Sequence, residues 1–85
     1  MELKDTIQLM TSSDYKERFK AEYDQLNIRT ARLKYQLDEY HAGRLHFLPD
    51  TPIVLLEQQY HIMMAYKCLL IKRSQIERIM LDELD

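Results

Sequence analysis

The sequence predicts an all-α fold: a short N-terminal helix followed by a long antiparallel helical hairpin, coiled-coil-like and oligomeric. Three observations carry that prediction. The strong helix breakers, Gly43, Pro49 and Pro52, all fall within ten residues, leaving uninterrupted chain on either side. On both sides apolar residues recur at helical spacing. At 85 residues the chain is a single domain, 1–85, and two helices alone leave much apolar surface uncovered, so further copies are expected to cover it.

Leu3, Ile7 and Met10 stand at i, i+4 and i+7, which predicts a short amphipathic helix over about 2–10. Thr11 to Asp14 then offer N-cap side chains, and Glu17 follows Asp14 by three positions, as in a capping box. A second helix is predicted from about 14 to 42, roughly 43 Å long. Along it Phe19, Leu26, Leu33 and Tyr40 recur every seven residues with Tyr23, Thr30 and Leu37 between them, a coiled-coil-like seam. Gly43 supplies the left-handed conformation that ends a helix.

The apolar turn 43–51 holds Leu45, Phe47 and Leu48 and is expected to pack back over the hairpin tip. Thr51 and Pro52 suit an N-cap and a first helical position, opening a third helix over about 52–83. Its apolar face is wider than a two-helix seam requires, which argues for self-association. Following Leu55, Gln59, Ile62, Tyr66, Leu69, Arg73 and Ile76 puts two polar residues, Gln59 and Arg73, into that seam. A guanidinium there needs a fixed partner: Glu22, Glu77 or a ligand phosphate.

Composition excludes several functions. Twelve Lys and Arg stand against fourteen Asp and Glu, a net charge of -2, so the chain lacks the positive field of a duplex nucleic-acid binder. The apolar runs fall far short of the ~20 residues of a membrane span. Cys68 is a single cysteine and no apolar leader opens the chain, so a reducing, cytoplasmic setting is expected. One glycine excludes a glycine-rich phosphate loop, no nucleophile–base grouping is recognisable, and His41, His46 and His61 lack metal-ligand spacing. Neither catalysis, nor a metal, nor a cofactor is expected.

Cations and aromatics are the more informative groups. Lys16, Lys20, Tyr23 and Lys34 fall within about 60° of one another on the second helix, and Arg18 and Arg29 within ~20°, with Arg32 beside them. Such a face suits a phosphate with a stacked base, or else is a solvated surface neutralised by Glu17, Glu22 and Asp24.

The arrangement Tyr15-x-x-Arg18-x-x-x-Glu22-x-x-x-Leu26-x-x-Arg29-x-x-x-Leu33, followed by Leu55-Leu56-x-x-Gln59-x-x-x-Met63-x-x-Tyr66-x-x-Leu69-x-x-x-Arg73, resembles a group of small phage and prophage proteins. These share the helical hairpin domain of anti-CBASS and anti-Thoeris sponge proteins, and the group was first labelled as related to a crAss-like phage protein. The resemblance covers about Asp14 to Arg78. It implies a non-catalytic anti-defence protein in the cytoplasm of a bacterial host. Such a protein forms a homo-oligomer, dimer to hexamer, and sequesters cyclic oligonucleotides or cyclic ADP-ribose isomers without cleaving them. Chemistry then nominates Tyr15, Arg18, Lys20, Tyr23, Arg29, Gln59, Tyr66 and Arg73 as ligand-binding residues. The alternative is a helical adaptor or inhibitor that binds a host or phage protein through its apolar face.

Overall fold

The computed structural model describes residues 1–81. Among these the fold is all-α: a 3-10 turn, Leu3–Thr6, runs into α1 (Ile7–Met10), followed by α2 (Tyr15–His41) and α3 (Ile53–Glu77). The pairs Tyr15–Arg73, Glu22–Tyr66 and His41–Glu57 bridge α2 and α3, so the two helices run antiparallel in a body 43 × 25 × 20 Å.

The N-terminal segment departs from the expected stripe. Because a 3-10 turn advances three residues per turn rather than 3.6, the inward face moves. Thr6 is fully buried and Leu3 and Leu9 half-buried, while Ile7 and Met10 are exposed. Thr6 accepts a hydrogen bond from Gln25 Nε2 (2.8 Å), which ties the segment to α2.

Asp14 caps α2, its Oδ1 accepting from the Lys16 amide at 2.9 Å. Glu17 does not reach back to Asp14 as a capping box would have it. The Ser12 hydroxyl intervenes, donating to Glu17 and accepting from the Asp14 amide. At the far end Gly43 has φ +72°, its amide bonds Tyr40 O and the Arg44 amide bonds Glu39 O, the paired bonds of a Schellman cap. α3 begins one residue later than expected: Pro52 is the N-cap, and its carbonyl accepts from Leu55.

The C-terminal end of α3 corrects the sequence reading. The helix expected to reach about 83 stops at Glu77, and residues 82 and 83 lie outside the described residues. Arg78 adopts a left-handed conformation (φ 58°) without being glycine, and the Ile79 amide bonds Ser74 O at 2.8 Å. That conformation costs a non-glycine residue about 1–2 kcal/mol. It is offset by Ile79 and Leu81, which turn back and become buried.

Phe19, Tyr23, Leu26, Leu70, Ile79 and Leu81 form the core, with Met63 and Ile71 packed against it. The core therefore sits at the open end of the hairpin, away from the connecting turn. Along α3 the inward residues are Ile53, Leu56, Tyr60, Met63, Lys67, Leu70, Ser74 and Glu77, all buried or half-buried. They alternate in steps of three and four, a two-helix seam. The seam expected from the sequence is offset from it: Leu55, Gln59, Ile62, Tyr66, Leu69, Arg73 and Ile76 are all exposed.

The turn packs back only in part. Leu45 is half-buried, whereas Phe47 and Leu48 are exposed. His41 Nε2 lies 3.1 Å from a Glu57 carboxylate oxygen, which links the end of α2 to the start of α3.

Candidate functional site

Polar residues that face along one side of the hairpin form two clusters. At the open end, Arg73 is held from several directions. Its Nε donates to Glu77 at 2.9 Å, a terminal nitrogen donates to the Tyr15 hydroxyl at 3.2 Å, and the guanidinium lies over the Phe19 ring. The partner of Arg73 within its own helix is thus Glu77; Glu22 takes a different one. Tyr15, in turn, stands edge-on to Phe19 with centroids 6.5 Å apart. Arg18 donates to Ser12 O at 2.9 Å, which braces the turn before α2. Tyr15, Arg18, Phe19, Glu22 and Arg73 surround a shallow hollow of about 190 Å³.

Midway along, the Tyr66 hydroxyl donates to the Glu22 carboxylate across the helix pair. That bond, then burial and the carboxylate's charge, hold the phenol above its ordinary value of 10.0, with Arg73 pulling slightly the other way. Beyond it lies the second cluster. Arg29, Arg32, Leu33 and Gln36 from α2, with Leu56, Gln59 and Met63 from α3, line a depression of about 320 Å³.

Six of the nominated residues therefore share this side: Tyr15, Arg18, Arg29, Gln59, Tyr66 and Arg73. Two do not. Tyr23 is 0% exposed, at the centre of the core, so its ring offers no stacking face. Lys20 is half-buried and sits about 200° around α2 from Arg18, on another side. The expected Lys16–Lys20–Tyr23–Lys34 group is dissolved with it, since Lys34 pairs with Asp38 at 2.7 Å.

A further concavity escaped the sequence reading. The turn's Arg44, Leu45, His46 and Phe47 fold beside Ala31, Arg32, Tyr35, Gln36 and Glu39 of α2, enclosing about 530 Å³. Two Arg44 nitrogens grip one Glu39 oxygen at 2.9 and 2.6 Å, lowering the carboxyl's pKa and raising the guanidinium's. The available signal was the i, i+3, i+7 spacing of Arg32, Tyr35 and Glu39 ahead of an apolar turn.

No group of three or more His, Cys, Asp and Glu among the described residues is placed to hold a metal ion. No helix among them is long and apolar enough to cross a membrane. The arrangement suits binding: fixed cations, aromatic edges and amide groups on a shallow, open surface.

A protein-family model, Sequestin, matches residues 13–76, from the turn before α2 almost to the end of α3. No curated protein and no solved structure matches the chain.

Proposed function

The chain belongs to the Sequestin family, and from that premise we propose that it is a phage anti-defence protein that binds and sequesters a cyclic nucleotide-type immune messenger. It does so as a homo-oligomer and leaves the messenger uncleaved. The family name denotes sequestration, which supports the coarse reading. The observation that carries the finer one is the clamped Arg73: Glu77, Tyr15 and Phe19 hold its guanidinium in place on an exposed surface beside Arg18. A pre-positioned arginine binds phosphate with little further loss of side-chain freedom, and Tyr15 and Tyr66 add aromatic surface for a base.

Sequestration needs affinity and no bond breaking. The ligand class is cyclic oligonucleotides or cyclic ADP-ribose isomers, molecules that combine phosphates with bases. Calorimetric titration against a panel of these is the test. One of them should bind and be recovered intact after long incubation; failure of every one sinks the proposal. Arg73→Ala should abolish binding while Tyr35→Ala preserves it. The opposite pattern would move the site to the cleft at the turn.

A second reading is a helical adaptor that docks on a host or phage protein. The exposed stripe Leu55, Ile62, Leu69 and Ile76 favours it. Co-purification decides: nucleotide absorbance near the ultraviolet maximum of the bases supports the sponge, and a stoichiometric polypeptide supports the adaptor.

A further inference from the structure

The turn between α2 and α3 leaves aromatic surface uncovered. Tyr35 and Phe47 are 65 and 58% exposed, and both line the cleft of about 530 Å³ where the turn folds beside the last turns of α2. That volume lies in the range of small-molecule sites, and the lining is mainly apolar, as theirs is. Two unburied rings at one hollow offer faces on which a third, planar ring can stack.

One wall of the cleft is fixed before any ligand arrives. Arg44 is fastened to Glu39 twice: its amide donates to the Glu39 carbonyl at 2.8 Å, and two of its guanidinium nitrogens donate to one carboxylate oxygen. The Tyr35 hydroxyl lies 3.5 Å from the other oxygen. The carboxylate is thereby neutralised and does not repel an anion. Arg32 is the contrast. It is exposed, lines the same cleft, and has no hydrogen bond or ion pair among the described residues. With Arg32 and Arg44 set against Glu39 and His46 taken as neutral, the cleft carries one positive charge in excess.

We propose that this cleft is a ligand site of its own, for a planar aromatic ring that carries one anionic group. The ring stacks against Tyr35 and Phe47, the anion meets Arg32, and the exposed Gln36 amide offers a donor and an acceptor to the ring edge. Tyr35 lies about 26 Å along α2 from Arg18, too far for one small ligand to touch both ends. A molecule with two phosphates would find a single unpaired cation here, which sets this ligand class apart from the messengers considered for the Arg73 face. The cleft stands on the geometry of the turn, whether or not a messenger binds at the other end.

Magnetic resonance titration of the isotope-labelled full chain against indole-3-acetate, its neutral analogue indole-3-acetamide, and acetate is the test. Indole-3-acetate should shift the amides of residues 31–39 and 44–47 saturably. The neutral analogue should bind about tenfold more weakly, and acetate, which has no ring, should shift neither segment. Tyr35→Ala and Phe47→Ala should each weaken indole-3-acetate about tenfold. Helicity by circular dichroism should stay unchanged in both, because both side chains are exposed. Arg32→Gln should bring the acid and its neutral analogue to equal affinity, and Arg73→Ala should leave the titration unaltered. Equal affinity for acid and neutral analogue in the wild type, shifts confined to the exposed stripe of α3, or loss of the titration in Arg73→Ala would each overturn the proposal. The last of these would place the anion at the Arg73 face and leave the sequestration reading standing.

Discussion

The Arg73 guanidinium lies 4.9 Å from the centroid of the buried Phe19 ring, so a charged group on an exposed face rests directly on the core. A cation over an aromatic face contributes about 0.5–2 kcal/mol. Arg73→Ala is therefore expected to lower the unfolding free energy within that range, measured by urea titration, as well as to abolish messenger binding. Arg73→Lys should recover much of the stability and little of the binding, because an ammonium lacks the planar two-pronged donor.

Tyr66 predicts a pH dependence. Its phenol titrates above its ordinary value of 10.0 in the folded chain because it donates to Glu22. The stabilising form is the protonated one. The contribution is thus fully present below the unfolded value, about 10, and is lost as pH rises through the higher folded value. Thermal melts of wild type and Tyr66→Phe should differ at neutral pH and draw together in strong alkali. Parallel curves at every pH would refute the linkage.

Neighbouring leucines should behave differently. Leu70 is 1% exposed, and Leu70→Ala is expected to cost about 2–5 kcal/mol at any protein concentration. Leu69 is 59% exposed, so Leu69→Ala should change the unfolding free energy little.

The two helix ends give opposite expectations. Gly43 and Arg78 both have positive φ, and a Cβ on Gly43 would meet nothing within 4 Å. Gly43→Ala therefore suffers conformational strain alone, about 1 kcal/mol of destabilisation. Arg78→Gly relieves the same strain and should raise the midpoint of denaturant unfolding by a comparable or smaller amount, since glycine also loses more entropy on folding.

What the sequence made legible follows from where it is asymmetric. Gly43 and the prolines mark the turn without ambiguity, and Asp14 marks the start of α2. The inward face of α3 is different. The doublets Leu55-Leu56, Ile62-Met63 and Leu69-Leu70 recur at the same seven-residue interval. Either member satisfies the pattern, so periodicity could not say which stripe meets α2. The end of α3 was hidden because its left-handed residue is an arginine, chosen by the burial of Ile79 and Leu81 rather than by local preference. For the site, Tyr23 already lay in the α2 seam by spacing, and tertiary packing settled its role as core. The cluster of Tyr15, Arg18 and Arg73 depends on a contact between distant parts of the chain that no local window contains.

The return of Ile79 and Leu81 has a consequence for the order in which this chain can fold. Phe19 and Tyr23 appear early in synthesis, yet the residues that help to seal them lie beyond the hairpin, past the end of α3. During translation α2 can form its turns alone, but its core face stays uncovered while the connection and α3 are made. The core is complete only when the residues past the end of α3 turn back onto it, which makes that short segment the bolt rather than the hinge.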